Sequence, residues 1–129
     1  MTSGAKPEGY STVSPYLVVD DAERAIDFMR RVFGAVDLGR TAGKDGRIAR
    51  AELRIGDTIV MVADSTDRWA AMPAHVHVYV DSVDATYEAG VEAGAFSVLP
   101  PSQKDGGERR CGFRDASGTT WWVATPNPR

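Results

Sequence analysis

The sequence predicts an α+β fold built from two tandem βαβββ modules. Three observations predict it. Apolar residues alternate between period two and helical spacing in the order strand, helix, three strands, and that order occurs twice. The halves share weak identity, "VVDDAERAIDF" against "VYVDSVDATYE" and "GDTIVMV" against "GTTWWVA", as an internal duplication would leave. Finally, 129 residues with 43% hydrophobic and 26% charged side chains suffice for one domain with a proper core, and are too few for two ordinary ones.

Each element has its own signal. "SPYLVVDD" (14–21) is an apolar, β-branched run and reads as a strand. In "DDAERAIDFMRRVFGA", Ala22, Ala25, Ile26, Met29, Val32 and Phe33 fall on one helical face, with Asp20 or Asp21 as the start cap and Gly34 as the stop. Val36–Arg40, "GRIARAELRIG" (46–56) and "TIVMVAD" (58–64) are three strands, separated by the turn signals "GKDG" and "GD". The pattern then restarts. "HVHVYVDS" (75–82) is a strand. "SVDATYEAGVEAG" (82–94) is a helix capped by Ser82 or Asp81, with Val83, Tyr87 and Val91 inward. "FSVLPP", "GERRCGFRD" (107–115) and "TTWWVAT" (119–125) are strands, the last two joined by "DASG". The expected boundaries are a tail at 1–10, module one at 11–64, a linker at 65–74, module two at 75–126 and a second tail at 127–129. The linker contains Trp69, which is costly to leave in water, so it is expected on the rim of a cavity or against a partner.

Several functions are disfavoured. The net charge of −3 argues against nucleic-acid binding, which needs a basic face. Cys111 is the single cysteine, so no intrachain disulfide forms and a reducing cytoplasm fits. No apolar run approaches a membrane span, and the start lacks a signal-peptide core. "GRTAGK" is one residue short of a phosphate-binding loop and lacks the hydroxyl residue after Lys44. Asp20/Asp21 and Asp81/Asp84 read as helix starts rather than paired catalytic carboxylates. No nucleophile–base arrangement is readable, although Cys111 and the histidines could meet in space.

"AHVHVYVDSVD" (74–84) holds both histidines, His75 and His77. At i, i+2 on a strand they share a face. They read as half of a metal site, as polar groups facing a ligand cleft, or as structural residues. Trp121 and Trp122 alternate, so one faces the core and the other the opposite side. Arg109 and Arg110 also point to opposite faces, and one of them could meet an anionic group on a ligand.

The strings "PYLVVDDAERAIDFMRRVFGA", "AELRIGD", "HVYVDSVDA" and "FRDASGTTWWVAT" resemble the vicinal oxygen chelate superfamily of glyoxalase I, extradiol dioxygenases and bleomycin-resistance proteins. The start is closest to the glyoxalase and bleomycin-resistance branch. "DASG" matches the turn before that family's final strand, with Ala116 in place of the usual proline. The resemblance implies that the modules form an incomplete barrel around a cleft, pairing within one chain or between swapped chains, and that the protein is a homodimer. Metal-dependent members place His, Glu, His and Glu on four strands. Local spacing carries those positions to Ser14, Met61, His75 and Trp122. Only His75 is a good ligand, and transition-metal sites of this kind need three or four converging N or O donors. The resemblance therefore implies no metal and no cofactor here. Glu52 and Asp64 are other conceivable donors that no pattern places at the site.

With Trp122 in the cleft and Trp121 in the core, two-residue spacing brings Tyr16, Val18, Ile59, Ala63, His77, Tyr79, Thr120 and Ala124 to the same faces. The expected ligand-binding set is Trp122, His75, His77, Tyr79, Tyr16, Met61, Ser14, Ile59 and Trp69, with no catalytic residue assigned. This lining suits a planar, partly apolar small molecule. The leading reading is a cytoplasmic, metal-free protein that sequesters an aromatic or peptidic natural product, with no nucleic-acid or membrane partner. The alternatives are a divergent lyase, isomerase or dioxygenase of the same fold using His75, and a structural or regulatory partner protein with a vestigial cleft.

Overall fold

A computed structural model of the chain describes residues 4, 6–103 and 107–126. Strand β1 (Tyr16–Val19) leads into helix α1 (Ala22–Phe33), followed by β2 (Val36–Ala42), β3 (Ile48–Ile55) and β4 (Thr58–Asp64). Module two repeats the order with β5 (Ala74–Tyr79), α2 (Val83–Glu92), β6 (Phe96–Gln103), β7 (Arg109–Arg114) and β8 (Thr119–Thr125). The strand orders are β1-β4-β3-β2 and β5-β8-β7-β6. In both sheets the first and last strands of the module pair in parallel, and the others pair antiparallel. No barrel closes, and the architecture is the predicted pair of βαβββ modules. No described helix is long and apolar enough to cross a membrane.

Helix α1 forms as its signals predict. The Asp21 side chain accepts from the Arg24 N–H, and Gly34 ends the helix in the left-handed conformation at φ 66°. Its inward face is Ala22, Ala25, Ile26, Phe28, Met29 and Val32; Phe28 was not expected there, and Phe33 is half-buried. Helix α2 is capped by Ser82. Val83 is buried, but Val91 points outward and Gly90 is buried in its place. The expected i, i+4, i+8 spacing drifts about 40° per step at 3.6 residues per turn, so Val91 lies about 80° off the face that Val83 defines. Gly90 lies within about 20° of that face. It must be small: a Cβ there would stand 2.9 Å from the Phe113 ring.

The helix sides of the two sheets share one core. Phe33 stacks on Phe113 and packs on Trp121, and Phe28 meets Phe113 edge-on. The two sheet faces that carry no helix therefore look outward, away from each other. A cleft is not enclosed within one chain, and each module presents an open face instead.

Two buried carboxylates hold the strand ends. Asp64 accepts from the N–H groups of Ala22 (2.7 Å) and Ile48 (2.6 Å). Asp115 accepts from the N–H groups of Ser117 and Thr119 and from the Trp121 indole N–H at 2.9 Å. The turn "DASG" is thus stapled to the core through the ring beneath it. Of the expected tails, residues 1–3, 5 and 127–129 lie outside the described residues; Tyr10 donates its hydroxyl to Glu52 at 2.8 Å.

Candidate functional site

The open face of the second sheet is a three-row grid fixed by strand register. One row is His75, Thr120, Arg114 and Phe96; the next is His77, Trp122, Gly112 and Leu99; the third is Tyr79, Ala124, Arg110 and Ser102. Trp122 and His75 lie on this face, and Trp121 is fully buried on the other, which agrees with the expected register of β8.

Trp122 does not stand up from the sheet. Its six-membered ring lies over Gly112, where an added Cβ would come within 2.7 Å of Cε3 and Cζ3. Any residue larger than glycine on β7 would lift the ring. The indole Nε1–H donates to Nδ1 of His75 at 3.1 Å. The two rings are inclined by only 6°, with centroids 6.1 Å apart. At that separation, with an in-plane hydrogen bond between them, they lie edge to edge rather than one above the other. Indole and imidazole thus present nearly parallel faces side by side, a platform of two rings. Because indole is a donor only, Nδ1 of His75 must be the acceptor. The neutral imidazole therefore carries its proton on Nε2.

The surroundings are partly polar. The His77 and Tyr79 rings meet edge-on with centroids 4.8 Å apart. The Tyr79 hydroxyl donates to Glu108 at 3.0 Å, and that carboxylate holds the phenol above its ordinary pKa. Tyr79 and Phe96 are 61% and 65% exposed, large apolar surfaces for an isolated chain.

The first sheet's open face carries the rest of the predicted set. Tyr16 pairs with Met61, and Met61 with Glu52. Ile59 is buried, and its N–H donates to the Ser11 hydroxyl; Met61 and Ser14 are half-buried. Ser14, Tyr16, Ile59 and Met61 thus belong to one module, and His75, His77, Tyr79 and Trp122 to the other. Within a chain the two groups are not brought together. Trp69 lies at the surface. It is 62% exposed, with the Arg68 guanidinium 5.4 Å from its ring centre. A groove of about 670 Å³ runs between the modules instead. Pro15, Phe33, Val60, Val76, Val78 and Trp121 line it, and of the predicted residues only His77 and Tyr79 reach it.

Among the described residues, no three His, Cys, Asp or Glu side chains converge on a point. Asp64 is occupied by backbone N–H groups, and Glu52 by Tyr10 and Arg50. Arg109 is bound to Asp84 through two 2.8 Å hydrogen bonds, which lower the Asp84 pKa. Sequence reasoning missed two participants, Gly112 and the structural anchor Asp115. Counting outward from the four residues of "DASG" pairs Gly112 with Trp121; the observed turn is the three residues 116–118, which shifts the register by one and puts Gly112 opposite Trp122.

Comparison with known proteins gives a consistent result. TioX from Micromonospora sp. ML1 superposes with a TM-score of 0.77 at 31% identity, covering 91% of this chain and 99% of its own. TnmS3, an antibiotic binding protein from Streptomyces sp. CB03234, superposes at 0.70 and 21% identity, covering 92% of this chain and all of its own. The fosfomycin resistance protein FosX from Mesorhizobium loti does so at 0.65 and 21%, with 95% of each chain covered. An uncharacterized protein of Mycobacterium tuberculosis, Rv0887c, is 35% identical over 125 residues, which is 88% of this chain and 74% of its own length. The sequence profile that matches residues 11–123 names the group these observations describe: the chain belongs to the Glyoxalase/Bleomycin resistance protein/Dioxygenase superfamily.

Proposed function

We propose that this protein is a metal-free small-molecule binding protein that sequesters a planar aromatic natural product, and that it works as a homodimer. The observation that carries the reading is Trp122 lying on Gly112, hydrogen-bonded to His75 with the two rings nearly parallel. At this position the family resemblance implies a carboxylate ligand in metal-dependent members. A flat ring there replaces a Lewis-acid centre with a stacking surface. The same fold serves TnmS3, an antibiotic binding protein, and the fosfomycin resistance protein FosX, so drug binding lies within its range. Sequestration works by mass action, because a bound drug cannot reach its target.

The outward-facing sheets support the homodimer. Tyr16, Val36, Tyr79 and Phe96, all on open faces, are between 46% and 65% exposed. Covering one chain's first-sheet face with another's second-sheet face brings Tyr16 and Met61 opposite Trp122 and His75, and closes the cleft on both sides. Light scattering should give twice the chain's 13.9 kDa mass. A strict monomer at high micromolar concentration overturns the shared cleft.

Titration with planar aromatic compounds, followed by tryptophan fluorescence, tests the site. Trp122→Ala should weaken binding at least tenfold, since loss of stacking is worth roughly 0.5–1.5 kcal/mol beyond area burial. His75→Ala should cost about one net hydrogen bond, roughly 0.5–1.5 kcal/mol. Unchanged affinity in Trp122→Ala overturns the stacking site. A transition metal bound one per chain by elemental analysis, whose removal abolishes binding, overturns the metal-free reading.

A further inference from the structure

The grid places two further guanidinium groups on the Trp122 face, because Arg110 and Arg114 flank Gly112 at i−2 and i+2 on β7. They differ. Arg114 is exposed and belongs to the His75 row. Arg110 is half-buried in the Tyr79 row, and its Nε is shut off from solvent with no hydrogen-bond partner. Among the described residues, no carboxylate forms an ion pair with Arg110. Among the described residues, Asp84 holds Arg109, and Glu108 accepts from the Tyr79 hydroxyl. A guanidinium held partly out of water with no direct ion pair among the described residues has donors left for an anionic partner, and its fork fits a carboxylate best.

Position sets the partner's shape. The His75 row crosses β8 at Thr120 and the Arg110 row crosses it at Ala124. At the rise of a strand these rows are about 13 Å apart, with Trp122 between them. The platform thus has a neutral N–H donor, His75 Nε2, toward one end and a cation at the other.

Resting on the stacking site proposed above, we propose that Arg110 is its specificity-determining residue and that the preferred ligand is a fused planar system of two or three rings bearing a carboxylate at one end. The rings cover the indole and imidazole, and the carboxylate meets the Arg110 guanidinium. A single ring is too short to do both.

Calorimetric titration with three probes tests this: anthracene-2-carboxylate, its methyl ester, and benzoate. The native protein should bind the three-ring acid at least tenfold tighter than either the ester or benzoate. Arg110→Gln should weaken acid binding at least tenfold and abolish the preference over the ester, whereas Arg110→Lys should keep part of it. Arg114→Gln, which removes the same charge from the same face, should change acid binding less than threefold. Equal binding of acid and ester by the native protein overturns the inference, as does an Arg110→Gln protein that keeps the preference. So does an Arg110→Gln protein that binds both probes equally weakly and has become monomeric, which would assign Arg110 to the subunit interface. Trp122→Ala separates the two readings. If it loses acid and ester alike while the native protein shows no preference, the stacking site stands and the role of Arg110 falls. If it binds both as the native protein does, the stacking site itself falls.

Discussion

The two modules share strand order, and on the open face they differ most at one cross-strand pair. Tyr16 meets Met61 in the first as His77 meets Trp122 in the second, at the same separation along the chain. The residue opposite is Glu52 in one and Gly112 in the other. Module one therefore has a flexible thioether beside a charged side chain that is tied to Tyr10. Module two has a flat ring on bare backbone. The pair matters more than either member, because a tryptophan opposite Glu52 would have to stand up, and a methionine over Gly112 would leave a dent. On the helix side the difference runs the same way. Trp121 and Phe113 occupy the positions of Val60 and Leu53, so the second sheet gives aromatic rings to the shared core where the first gives aliphatic side chains.

The largest effect that would break this comparison is on stability. Trp121→Ala removes a fully buried ring and leaves Asp115 without its indole donor. It should cost about 3–5 kcal/mol, against about 0.8 kcal/mol per carbon removed in Val60→Ala. Thermal melts of both variants give the ratio, and equal losses would show that the core is not weighted toward module two.

The next effect concerns the ring and its glycine. Gly112→Ala places a methyl group 2.7 Å from the ring, so Trp122 must tilt, at about 1–3 kcal/mol of stability and with loss of the platform. Adding Trp122→Met to that variant imitates module one and should restore the stability without restoring aromatic binding. Additive losses in the double variant would mean that the two residues are uncoupled.

The smallest effect is a pH dependence. Cys111 stands where module one has Ala51, and both are buried. Burial pushes the Cys111 thiol from 9.0 up to about 11. The folded state favours the protonated form, so its contribution to stability is complete below about pH 9 and is lost as the pH rises toward 11. Cys111→Ala should flatten that part of the stability–pH curve, as followed by denaturant midpoints. An unchanged slope would place its origin elsewhere.

Much of this was legible in the residues. The strand–helix order, the Asp21 and Ser82 caps, the Gly34 stop and the opposed faces of Trp121 and Trp122 all follow from local spacing. Local spacing does not report what a face looks at. It grouped Tyr16 and Met61 with His75 and Trp122, and only the meeting of Phe33 with Phe113 and Trp121 shows that these groups lie on opposite sides of one chain. It also missed the drift that replaces Val91 by Gly90. Trp69, expected on a cavity rim or against a partner, is 62% exposed with the Arg68 guanidinium 5.4 Å from its ring centre.

The parallel edges bear on the order of assembly. In each module β2, β3 and β4, or β6, β7 and β8, are neighbours in sequence and close as short hairpins. β1 and β5 must return across the whole module to reach β4 and β8. Closing such a long loop is entropically the slowest step, and an edge strand with one partner opens most readily. His75 and His77 ride on that strand. Half of the platform therefore depends on the longest loop closure of its module, and a molecule spanning His75 and Trp122 would act as a clasp on that seam.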